Sequence, residues 1–123
     1  MLPIKYFAAF SLLAVYFISF APSSHAAEAI KIGVAGPHSG DLASYGMPTV
    51  NGASLVIDRI NKQGGVNGHP LELLVEDDAC KPEIAVNTAT KLVAEGVKVV
   101  IGHICSGATK AALPIYKEAG VLV

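Results

Sequence analysis

Aromatic side chains are nearly missing from most of this chain. It has no Trp, and all four Phe and two of the four Tyr fall within the first 26 residues. Beyond that stretch only Tyr45 and Tyr116 remain, and the apolar fraction drops to about 47%, ordinary for a globular domain. The positive mean hydropathy therefore belongs to the opening segment and does not describe a membrane protein throughout. An excess of either charge is missing too: past residue 26 there are eight Lys/Arg against ten Asp/Glu. That excludes a polybasic nucleic-acid binder and a strongly charged disordered tail. Repeats, low-complexity tracts and linkers are also absent. Residues 27–123 can bury one modest core.

The opening segment reads as an export signal. Lys5 and the α-amino group give a positive start, and Tyr6 to Ala21 runs without a charge. Pro22, Ser23 and Ser24 break the run, and Ser24-His25-Ala26 puts small residues at −3 and −1 of a cut after Ala26. The apolar run is about 16 residues, short of the roughly 20 that a spanning helix needs, which argues against an uncleaved anchor. No Cys stands at the cut, so a lipid anchor is disfavoured. The expected organisation is a signal peptide over residues 1–26 and a mature chain from Ala27 in an oxidising compartment.

Export changes the meaning of Cys80 and Cys105. An even count in an oxidising compartment favours a disulfide, worth about 3.5 kcal/mol on the chain-entropy account. Two free thiols, or a metal site of Cys80, His103 and Cys105, are the alternatives. That trio matches no paired Cys-x-x-Cys spacing.

The mature chain alternates strands and helices. Ile30 to Gly36 is a short apolar run ending at Gly-Pro, and Leu71 to Asp77 and Val97 to Ile101 are two more strands. Val50, Ala53, Ile57 and Ile60 stripe a first helix, stopped by Gly64-Gly65. Ala85, Ala89, Leu92 and Val93 stripe a second, opened by Pro82 and ended by Gly96. Ala108, Ala111, Ile115 and Ala119 stripe a third. Pro114 falls inside it and should kink it or mark a later start. Val121-Leu122-Val123 would begin a fourth strand with no helix to cover it. The order β-α-β-α-β-α-β predicts an open, doubly wound parallel α/β sheet, of which residues 27–123 form a truncated part.

Ligands of such sheets bind beyond the carboxyl ends of the strands. Three loops qualify: Pro37–Gly46, Asp77–Lys81 and Gly102–Gly107. The first lacks both the G-x-G-x-x-G spacing and a P-loop Lys, so a nucleotide site is poorly supported. Tyr45 at its end could lie over an apolar ligand group or pack on the loop itself. Glu76, Asp77 and Asp78 in the second lack a third clustered carboxylate or His, and read as a solvated strand end. In the third, Ser106 is an N-cap candidate at a helix start whose free N–H groups suit an anion. Ser106 has no G-x-S-x-G setting, so a hydrolase is disfavoured. His38 and His103 read as structural. No catalytic residue, metal or cofactor is expected.

Several segments together resemble the branched-chain amino-acid-binding proteins. They are Gly33-Val34-Ala35-Gly36-Pro37-His38-Ser39-Gly40, Tyr45-Gly46, Ile60 to Gly68, Glu76-Asp77-Asp78-Ala79-Cys80 and Val100 to Ser106. Those are periplasmic solute receptors of leucine/isoleucine/valine ABC importers, with the type I periplasmic-binding fold. The resemblance implies two α/β lobes closing on a free amino acid, this chain holding the first part of lobe one. It implies a disulfide between Cys80 and Cys105. It implies that Ser106 binds the ligand α-carboxylate, and that Tyr45, Ile104 and Cys105 line the side-chain pocket. Gly107 departs from the family, where a second Ser is common.

The expected function is capture of aliphatic amino acids, without chemical turnover, for delivery to a membrane permease. The partners implied are a small amino acid and that permease, with no nucleic acid and a monomeric receptor. A ligand-sensing domain of the same fold, for an amino acid or amide, is the alternative. An exported α/β enzyme is least supported, for want of a nucleophile–base pair or metal cluster. A single unfinished lobe is expected to bind weakly and to aggregate through its open edge.

Overall fold

Residues 27–123 are described by the structure, a computed structural model; the expected export signal lies outside the described residues. Strand β1 (Ile30–Gly36) is central, with β2 (Leu71–Asp77) and β3 (Val99–Ile101) on either side, all parallel. Helix α1 (Ala43–Lys62) connects β1 to β2, α2 (Pro82–Ala94) connects β2 to β3, and α3 (Ser106–Ala119) follows β3. The register pairs Ile30 with Leu71 and Gly36 with Asp77, so β1 and β2 end level at their carboxyl edge. Parallel pairing follows from the helical crossovers, which return each strand to the same end of the sheet.

Alternation along β1 divides the two faces. A Cβ added to Gly33 would meet Leu92 and Val100, and Ala35 belongs to the same buried cluster. That face carries α2 and α3. Ile32 points the other way, toward Ile57 of α1. Helices thus cover both sides, the doubly wound α/β arrangement expected from the element order.

Small residues set the packing on the α2/α3 side. Ala85, Ala89, Ala108 and Ala112 are fully buried, letting the two helices approach closely around Leu92, Val100 and Tyr116. Pro82 opens α2 at its first turn, where its missing N–H costs no helical bond. Gly120, at φ 68°, closes α3 in the left-handed conformation that glycine adopts without a Cβ penalty. The connection before β2 is a tight turn. Asn67 (φ 52°) and Gly68 (φ 82°) sit between the bridged pair Val66 and His69. Asn61 then fastens the end of α1 to the start of β2, its amide donating to the Leu71 carbonyl at 2.8 Å and accepting the Leu71 N–H at 2.7 Å.

Four expectations need correction. The first loop is shorter than the sequence suggested: a 3-10 turn spans Gly40–Leu42, and α1 already begins at Ala43 and runs through Pro48. Pro48 lies early in the helix, near the turn whose N–H groups have no intrahelical acceptor. Pro114 does not delay the start of α3, which begins at Ser106. It is exposed, as is Lys110, so water can satisfy the carbonyl that loses its partner. The buried stripe of α3 is Ala108, Ala112 and Tyr116, displaced by one position from the expected Ala111 and Ile115. Finally, β3 covers Val99–Ile101 only, and the expected fourth strand contributes a single parallel bridge between Leu122 and Val99.

Candidate ligand site

The loops after β1, β2 and β3 meet at the carboxyl edge of the sheet. Two glycines permit the approach. A Cβ on Gly46 would stand 1.9 Å from the Pro37 carbonyl oxygen, so only glycine lets α1 start against the first loop. Gly102 has φ 144°, and a Cβ there would lie 2.1 Å from the Ala35 carbonyl oxygen. It turns the chain out of β3 directly beside β1.

Adjacent carboxylates of the second loop fasten these pieces. The Asp77 Oδ1 accepts the His38 N–H of the first loop and the Ala79 N–H of its own, both at 2.9 Å. The Asp78 Oδ1 accepts the Cys80 N–H at 2.8 Å. These bonds hold Ala79 (φ 47°) and Cys80 (φ 57°) in the left-handed region. Two consecutive non-glycine residues there cost about 1–3 kcal/mol each, so the fastening is needed. Burial would raise the Asp77 carboxyl, but hydrogen bonds from the Ser39 hydroxyl and the Ala79 and His38 amides outweigh it and hold its pKa below the ordinary value.

Asp78 overturns the reading of this loop as a solvated strand end. It is wholly buried, and its Oδ2 lies 2.5 Å from Nδ1 of His103, itself buried. On the other side of that ring, Nε2 lies 3.1 Å from the Tyr116 hydroxyl. Burial, then the Asp78 charge, pushes the Tyr116 pKa up to about 12. Tyr116 therefore keeps its proton, and a chain of polar contacts runs from β2 through the third loop into α3. Sequence reasoning missed it, because the three residues are separated by 25 and 13 positions and share no local pattern. The one available signal was Tyr116 itself, an aromatic in a helix otherwise packed by Ala. Glu76 is half-buried and pairs with exposed Lys91 of α2 at 2.5 Å. Among the described residues, no group of three His, Cys, Asp or Glu is placed to hold a metal.

A disulfide joins Cys80 to Cys105, Cα atoms 5.4 Å apart, linking the second and third loops. Beside it is a recess of about 240 Å³ lined by Pro37, Leu42, Tyr45, Cys80, Ile104 and Cys105. Three of the sequence-predicted pocket residues, Tyr45, Ile104 and Cys105, are thus brought together. Pro37 and Leu42 join them unforeseen; Leu42 was legible only as a lone aliphatic in a polar loop. A second recess, about 380 Å³ and lined by Ser39, Gly40, Asp41, Ala79 and Lys81, adjoins the first at Leu42.

Ser106 stands differently from expectation. The N-cap of α3 is Cys105, with no side-chain cap bond, and Ser106 is the first helical residue. It is exposed and does not line the apolar recess, but it follows Cys105 directly at the recess wall. The first main-chain bond at this end is Thr109 N–H to Cys105 carbonyl, at 2.9 Å. The N–H groups of the preceding turn are left for an external acceptor. Ser106 and Gly107 are exposed at this helix start.

A recess of about 450 Å³ lies elsewhere, between α1 and the sheet. Ile32, Val56, Ile57, Ile60 and Ile101 line it, and Thr49 is its only side chain with a polar atom. It could not orient a charged ligand.

A family model described as "Periplasmic binding protein" matches residues 29–123. The chain belongs to the periplasmic binding protein family. Within it, the chain is 51% identical over 104 residues to the leucine-, isoleucine-, valine-, threonine- and alanine-binding protein of Pseudomonas aeruginosa, covering 85% of this chain and 28% of that protein. It is 44% identical over 97 residues to the Leu/Ile/Val-binding protein of Escherichia coli K12, covering 79% and 26%. Among solved structures, it resembles the branched-chain amino acid transporter substrate-binding protein of Streptococcus pneumoniae in complex with isoleucine. That likeness has a TM-score of 0.72 and 39% identity over 76% of this chain and 27% of that one. This periplasmic binding protein chain thus spans just over a quarter of the length of these relatives.

Proposed function

We propose that the chain is the first part of lobe one of a non-catalytic receptor, exported by residues 1–26, that captures branched-chain aliphatic amino acids in the periplasm for an ABC importer. The observation that carries this reading is the juxtaposition at the carboxyl edge. An apolar recess of Tyr45, Ile104 and Cys105 adjoins the open start of α3 at Ser106. An amino acid with an aliphatic side chain matches both halves. The side chain fills the recess, and the α-carboxylate accepts the Ser106 hydroxyl and the free N–H groups, where the helix dipole also favours it. The names of the relatives support the ligand class, and a membrane permease is the partner this reading requires.

Calorimetry on the full-length protein tests it. Leucine, isoleucine or valine should bind with one site. Ser106→Ala should weaken binding about tenfold or more, the loss of one hydrogen bond to a charged group. Absence of heat with every aliphatic amino acid would refute the reading. Heat with an amide instead would favour the sensing alternative.

A further inference from the structure

We propose that the buried chain Asp78–His103–Tyr116 is the positioning device of the ligand pocket, setting where the third loop presents Ile104, Cys105 and Ser106. The proposal rests on the receptor reading above. The residues that face the ligand are exposed or half-exposed, Tyr45 at 68% and Ile104 at 42%, so they are not fixed by their own packing. His103 immediately precedes Ile104 and is held from both sides of its ring: Asp78 at Nδ1, Tyr116 at Nε2. Its carbonyl accepts the Thr109 hydroxyl at 2.7 Å, which also reaches the Cys105 carbonyl at 3.2 Å. One residue of α3 thus grips the backbone on both sides of Ile104.

The same Asp78 holds the Cys80 N–H, so a single carboxylate sets both halves of the disulfide wall. Asp77, next to it, holds His38 and the first loop. The three loops are therefore referenced to one point, the carboxyl end of β2. The Asp78 and His103 side chains lie behind the pocket wall and do not line the recess, which makes them positioning residues. Burying a carboxylate, an imidazole and a phenol together is costly unless each is partnered, and an apolar trio of similar volume could fill the same space. What the polar trio adds is direction, because hydrogen bonds fix ring and loop orientation where apolar contacts would allow sliding.

The test compares Tyr116→Phe and Asp78→Asn with a packing control, Leu92→Val, in the full-length protein, with leucine as the probe. All are measured well below their melting temperatures. Tyr116→Phe and Asp78→Asn should each raise the leucine Kd about fivefold to tenfold, the loss of one buried hydrogen bond. Leu92→Val should lower Tm with Kd unchanged. In proton NMR, the wild type should show a downfield His103 Nδ1 proton. Tyr116→Phe should shift that resonance and the Ser106 amide together, and Leu92→Val should move neither. An unchanged Kd and Ser106 amide in Tyr116→Phe, with wild type binding leucine, overturns this proposal and leaves the receptor reading intact. A Leu92→Val effect on Kd as large as that of Tyr116→Phe overturns it as well. Failure of the wild type to bind any aliphatic amino acid removes both.

Discussion

The two faces of the sheet are built on different terms. On the α2/α3 side, Ala85, Ala89, Leu92, Ala108, Ala112 and Tyr116 have no exposed surface. On the α1 side Val34 is fully buried and Ile57 is 8% exposed, while Val56, which lines the groove there, is 56% exposed. The difference lies in side-chain size and in what each face has to cover it. Alanines let two helices seat against the strands and against each other, which excludes water and leaves room for one large polar side chain. The longer α1 meets the sheet alone, and its bulkier side chains leave a groove beside it. A closed face can hold an oriented polar chain at low dielectric, and that is where Asp78, His103 and Tyr116 sit. An open apolar face offers no such shelter.

Leu92→Ala should break the closed face most severely. It removes a fully buried side chain touching the Gly33 and Val100 positions, and should cost about 3–4 kcal/mol, readable by denaturant unfolding of the mature protein. Ile57→Ala on the opposite face should cost clearly less, about 1–2 kcal/mol, because its neighbours are partly solvated and water can enter the gap. Equal losses would show that both faces are sealed in solution, and the comparison would fall.

The smallest effect is expected at the edge where the faces meet. The Asp77 pKa is depressed in the folded state, so its contribution to stability is fully present above the unfolded value of 3.8 and is lost as pH falls through the lower folded value. Asp77→Asn should therefore narrow the stability difference between neutral and strongly acid pH. Unfolding midpoints compared at pH 7 and below pH 3.8 measure it; an unaltered acid profile would remove Asp77 from the fastening described above.

Much of this was legible in the residues, and the reason is locality. The span of the strand Leu71–Asp77, the start of α2 at Pro82, its end before Gly96 and the Asn-Gly turn depend on neighbours a few positions apart. The pairing of strands in parallel follows from crossover length alone. The errors cluster where a distant contact decides. The early start of α1 depends on Gly46 fitting against Pro37, and the rotation of the α3 stripe on Tyr116 reaching His103. At the site, the cysteine bridge and the apolar residues could be anticipated. The departure of Ser106 from the cap position, and the entry of Pro37 into the recess, could not.

The sequence by itself determined the alternation of strands and helices, the sheet class, and the three loops that could meet a ligand, because periodicity, glycine and proline act within a turn or two of chain. Tertiary structure alone decided that Asp78 is buried and not solvated, and that it meets His103 and Tyr116. A carboxylate carries no local mark of its burial; only the packing of a later loop and a later helix takes the water away and supplies the partners that make its charge tolerable.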